Sequence, residues 1–149
     1  MGDIPDVAQF GPMSSPYGLS LSLDAARTVA AAAAAEARAH GWTMAIAVTD
    51  PAGTLVYFER IDDTQAGSAD IAIEKARSAA RFKRPTKAFQ DTLATGGIGL
   101  RVLAINGAVA LEGGLPIVVG GRIVGAIGVS GSTAENDGIC AQAGVNALG

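Results

Sequence analysis

Residues 112–137 read EGGLPIVVGGRIVGAIGVSGSTAEND, and their order spells strand, tight turn, strand, glycine-rich loop and helix start. Gly120 and Gly121 separate two apolar runs, and glycine tolerates the positive φ that two-residue hairpin turns demand. After the second run, Ser132, Thr133, Ala134 and Glu135 have the form of a capping box that opens a helix. A helix start beside glycines presents unpaired N–H groups and partial positive charge, which together suit an anionic group.

Working outward, Asp50-Pro51-Ala52-Gly53 fits a type I turn between apolar runs at 43–49 and 55–60, both read as strands. An alanine-rich helix is expected over 22–40, with Ser22 as N-cap and Gly41 as its stop. A second helix, capped by Ser68, runs to about Lys83 and ends at Arg84-Pro85. A short helix follows at 86–94, then a loop holding Gly96, Gly97 and Gly99. Three strands come next, and a last helix runs from near Thr133 to near Leu148. The order α-β-β-α-α-β-β-β-α, with hairpins joining strands, gives an α+β fold: a single domain with an antiparallel sheet flanked by helices. Residues 1–18 read as an extended arm, either disordered or laid across a neighbour, and 19–149 as the domain.

A chain of 149 residues suits one domain with a sizeable core. Its net charge of −3, without a basic cluster, argues against nucleic acid as a partner. One cysteine excludes an internal disulfide framework and a multi-cysteine metal site. The first residues lack the pattern of a signal peptide, and no run of about 20 residues is apolar enough to span a membrane. A cytoplasmic protein is therefore expected. Only 17% of residues are charged and 20 are glycine, which leaves apolar surface to cover and predicts a homo-oligomer.

The second helix has three faces. Ala69, Ala72, Ile73, Ala76 and Ala80 form a small-residue stripe facing the sheet. Asp70, Glu74, Arg77 and Arg81 form a charged stripe, with Glu74 and Arg77 spaced for a surface pair. Lys75 shares the third face with Ile71, Ser78 and Phe82, where it either snorkels or presents its ammonium to a carboxylate. Asp70 and Glu74 stand one turn apart, as a hard cation would need, or simply form a solvated face; no metal site is assigned. Arg60 and Asp62 follow the second strand, where Arg60 either holds a ligand carboxylate or braces the loop. Glu112 precedes Gly113 and Gly114, whose bare backbone lets a ligand come close; if buried, it serves as acid or base. The spacing of Gly125, Gly128 and Gly131 is wrong for a nucleotide loop. Ser130 lacks a nucleophile-elbow frame. His40 ends the first helix, where its charged form suits the dipole. Cys140 reads as a small core residue.

Taken together, several motifs resemble the GlcG/HbpS-like family, over roughly residues 17–149. They are Tyr17-Gly18, Ala47-Val48-Thr49-Asp50 with Gly53, Arg60-Ile61-Asp62, Lys75-Ala76, Gly113-Gly114-Leu115-Pro116, and Gly125-Ala126-Ile127-Gly128-Val129-Ser130-Gly131 with Asp137. That family takes in the glycolate-operon protein, a heme-binding sensory protein and the C-terminal domain of PduO. The resemblance implies a profilin- or PAS-like fold, a homo-oligomer, and heme or another small ligand in some members. His40 matches no family position, so iron ligation would fall to Tyr17, Tyr57, Met44 or Cys140. Gly138 stands where the family carries an acid after its final Asp.

Two functions follow. One is a small-ligand-binding module for heme, a tetrapyrrole or a small organic acid. The other is an enzyme, a lyase, hydratase or isomerase moving a proton on a hydroxy- or keto-acid, with Glu112 and Asp137 as proton carriers. In either case Arg60, Lys75, Gly113, Gly114, Ser132 and Thr133 are expected to converge on one anion-selective cavity. On that reading Lys75→Met weakens ligand binding and leaves the fold intact.

Overall fold

The computed structural model describes residues 13–148. Helix α1 (Leu23–Ala39) leads into strands β1 (Ala45–Thr49) and β2 (Leu55–Arg60); helices α2 (Gly67–Phe82) and α3 (Thr86–Ala94) follow. A 3-10 segment (Gly97–Ala104) precedes strands β3 (Gly114–Val119) and β4 (Arg122–Ser130), and helix α4 (Ala134–Asn146) closes the chain. The four strands form one antiparallel sheet in the order β2-β1-β4-β3. This is the expected α+β fold.

Sheet alternation sorts the two faces. Ile46, Val48, Ile127 and Val129 pack with the alanines of α1 and with Cys140 and Ala141 of α4 in the larger core. Ala45 and Ala47 face the opposite way, onto Ala72 and Ala76 of α2. Helices therefore cover both sides, and all five residues of β1 are buried. The small stripe of α2 lies on the sheet as expected, because a Cβ at Gly128 would come within 2.5 Å of the Ala76 nitrogen.

Local signals hold where they concern one turn. Ser22 caps α1 by accepting from the Ala25 N–H. Gly53 N donates to Asp50 O at 3.0 Å, while Asp50 Oδ1 accepts from the Ala52 and Thr54 N–H groups. Gly120 and Gly121 both take positive φ, 58° and 76°, as a type I′ hairpin turn requires.

Three expectations are corrected. Thr133, not Ser132, caps α4, its hydroxyl accepting from Asn136 N at 3.1 Å. The third helical residue is then Asn136, so Glu135 cannot close a capping box. Ser68 caps nothing: α2 begins one residue earlier at Gly67, and buried Ser68 instead accepts from Gln65 Nε2. Two strands, not three, follow α3. The stretch from the loop at Gly96 onward instead forms a 3-10 segment, entered through Gly96 and Gly97 with φ of 66° and 53°.

Residues 16–21 run beside β4, with Gly18 N donating to Ile123 O and Leu21 N to Val124 O. The Tyr17 hydroxyl donates to Ala80 O, and Lys83 Nζ to Ser15 O. This part of the arm thus lies on its own chain; residues 1–12 fall outside the described residues. Among the described residues no helix is long and apolar enough to cross a membrane.

Candidate functional site

Lys75 sits mid-way along α2, where the helix passes over β4 and the start of β3, and it is 1% exposed. Its Nζ donates to Asp137 Oδ2 and to Val129 O, each at 2.9 Å. Asp137, in the first turn of α4, is 3% exposed, and its other oxygen accepts from Ser132 N at 3.0 Å. Gly113, at φ 132°, completes the arrangement, because a Cβ there would lie 2.8 Å from Lys75 Nζ. Gly114 donates to the Thr86 hydroxyl at 2.8 Å and leaves room for the Lys75 backbone. Lys75, Gly113, Gly114, Ser132 and Asp137 therefore meet at one place, with Thr133 one residue further on.

That place is closed. Both Asp137 oxygens and the Lys75 ammonium have partners inside the protein, away from water. Burial is the largest influence on each: it pushes Asp137 up and Lys75 down, and their mutual attraction offsets part of it. The pair ties α2, β4 and α4 together, which corrects the expectation that Lys75→Met spares the fold. Glu112 is only half-buried, with its carboxylate against Gly138. Burial raises its pKa, and Lys87 opposes this.

Arg60 stands elsewhere. It is exposed at the end of edge strand β2, and its register partner Ala45 pairs in turn with Ser130. Two strand spacings put its backbone about 10 Å from the end of β4. Among the described residues it bonds neither to Lys75 or Asp137 nor to Asp62.

The iron-ligand candidates are engaged. His40 is exposed, 3.1 Å from Glu36 and stacked on Trp42. Cys140 is buried, its thiol pushed up to about 12 by desolvation. Met44 is fully buried, and Tyr57 donates to Glu59 at 3.5 Å. Asp70 and Glu74 are exposed. Among the described residues no group of three or more His, Cys, Asp or Glu is placed to hold a metal ion.

An open groove lies between α3 and the 3-10 segment, with a cavity of about 260 Å³. Phe89, Val102, Ile98 and Ile105 give it apolar walls, and Arg84 and Arg101 its positive charge. Phe82 meets Phe89 edge-on, Arg84 stacks over Phe89 at 5.0 Å, and its Nε donates to Phe82 O at 3.0 Å. Neither arginine pairs with a carboxylate among the described residues. Such a groove fits the carboxylates and one apolar edge of a tetrapyrrole. Its lining holds no His, Met, Cys or Tyr, so it does not fit the usual protein ligation of a heme iron. Sequence reading passed over it, although Arg101 as a lone cation in the apolar run 97–105 was a usable signal.

The family model described as "Haem degrading protein HbpS-like" matches residues 21–146. Protein GlcG of Escherichia coli K12 is 39% identical over 110 residues, covering 74% of this chain and 81% of that one. A crystal structure of a double mutant of Streptomyces reticuli HbpS superposes with TM-score 0.80 at 32% identity, covering 89% of each chain. A crystal structure named as a PduOC:heme complex gives 0.78 at 26% identity, covering 87% of this chain and 96% of that one. The chain belongs to the HbpS-like family.

Proposed function

We propose that this HbpS-like chain is a small-ligand-binding protein, and that the α3/3-10 groove takes a tetrapyrrole, heme among them, by its carboxylates and one apolar edge. The carrying observation is the pair Arg84 and Arg101 over apolar walls, with no carboxylate of the described residues against either. Heme in the PduOC complex and the family description support the ligand class. When bound, heme supplies a redox-active iron; the groove residues hold acid groups and keep water from one edge. At about 260 Å³ the groove is smaller than an enclosed pocket of ~300 Å³ or more, so a second copy of the chain would cover the rest.

The proton-transfer reading loses Asp137, whose oxygens are both bonded in a dry interior. It keeps Glu112, which is half-open with a raised pKa, and Arg60. Catalysis by Glu112 alone is the weaker reading.

The test is parallel titration with hemin and metal-free protoporphyrin, followed by visible absorbance. Both are expected to saturate with affinities within about threefold, because no groove side chain ligates iron. R84Q and R101Q should each weaken both ligands by about tenfold, the loss of one charged hydrogen-bonding group. H40A should change neither. Failure of both to saturate, or hemin binding that H40A abolishes, would overturn the proposal.

A further inference from the structure

Arg77 and Arg81 stand one turn apart on the exposed side of α2, and Arg77 does not make the expected pair with Glu74. Arg77 donates through Nε to Gly53 O at 3.3 Å, not to Glu74, and Arg81 through Nε to Ala52 O at 3.0 Å. Among the described residues no ion pair involves either. The turn at 50–53 is shaped to receive them: Gly53 has φ 86°, and a Cβ there would lie 2.9 Å from Arg81 Nε and 3.0 Å from Arg77 Cγ. Each Nε bond fixes a guanidinium plane and leaves its two terminal NH2 groups to grip an oxyanion end-on. The same two residues line a cavity of about 380 Å³ with Glu74, Gly107, Ala108 and Val109.

We infer that this cavity is a binding site for a small monocarboxylate carrying a hydroxyl or amino group beside its acid. Two oriented guanidinium groups take the carboxylate. Glu74, in the same wall, accepts a hydrogen bond from the neighbouring donor and repels a second negative charge. Ala108 and Val109 offer an apolar wall for a short alkyl group. The site is separate from the α3/3-10 groove, so the two stand or fall independently.

Titration of the full chain with lactate, propionate and inorganic phosphate, read on the arginine Nε–Hε NMR signals, tests this without requiring any variant to fold. Lactate should shift the Arg77 and Arg81 signals saturably. Propionate, lacking the hydroxyl, should bind about tenfold more weakly, and phosphate no better than propionate. E74A, which removes the acceptor, should bring lactate and propionate within about threefold, and R81Q should weaken lactate by about tenfold or more. Signals that respond to lactate only as they do to sodium chloride would overturn the site. Unchanged lactate affinity in R81Q would do the same, and phosphate binding tighter than lactate would overturn the assigned ligand class.

Discussion

Lys75 and Asp137 show how one buried pair decides between a ligand site and a brace. Removing one partner leaves the other charged and dry, which costs about 3–5 kcal/mol. Lys75→Met is therefore expected to lower stability by that amount in urea unfolding. K75M/D137L should recover most of the loss, since no orphan charge remains. A single variant within about 1 kcal/mol of the wild type would mean the pair is solvated after all. Glu112 gives a pH signature of its own. Its folded pKa is raised above the ordinary 4.5 by burial, so the native state binds more protons than the unfolded chain between those two values. Stability then falls as pH rises through that window and is flat above it. Glu112→Gln should flatten this slope and leave the variant slightly more stable at pH 7, with the difference gone below pH 4.5. An identical pH profile for both proteins would show that the carboxylate is free in water.

At the scale of elements, α2 packs tightly over β4 at Gly128. Gly128→Ala places a methyl against the Ala72 and Ala76 backbone, where neither helix nor strand yields. Overpacking of this kind costs about 1–3 kcal/mol, and thermal unfolding should register it as a fall in Tm; an unchanged Tm would mean the helix shifts freely. The small-residue stripe that makes this contact was legible because it needs only the period of a helix. Legible for the same reason were the Ser22 cap, the Asp50 turn and the Gly120-Gly121 hairpin, each settled within a few residues. The 97–104 segment was not, since its apolar run has the composition of a strand and only tertiary placement makes it 3-10. Ser68 misled because a capping residue also satisfies itself with a nearby side chain, here Gln65. The residues around Lys75 were read as a group because a strand end, a helix face, a bare-backbone turn and a helix N-terminus all favour anions. That Asp137, 62 positions away, and the Val129 carbonyl would together engage the lysine was beyond any local pattern, and so was the groove formed by Arg84 and Arg101.

At the scale of the whole molecule, the sheet is covered on both faces, yet the 3-10 segment leaves large apolar side chains in water. Ile98 and Leu103 are each 72% exposed and Leu100 52%, and Leu111, beyond the segment, is 46% exposed. A chain with so little charge gains by burying such a patch, at roughly 25 cal/mol per Å² of apolar area, and the proposed cover is a second copy of the chain. Light scattering at micromolar concentration is expected to give a multiple of the 14.9 kDa chain mass. Leu103→Glu should move that mass toward the monomer without changing the circular dichroism, because Leu103 is not part of the core. Ile98 also lines the groove proposed for a tetrapyrrole, so the proposed assembly face and the proposed ligand site share a wall. Leu103→Glu should therefore weaken hemin binding along with assembly. If instead the mass falls while hemin affinity stays unchanged, the groove is complete within one chain and the second copy contributes nothing to it.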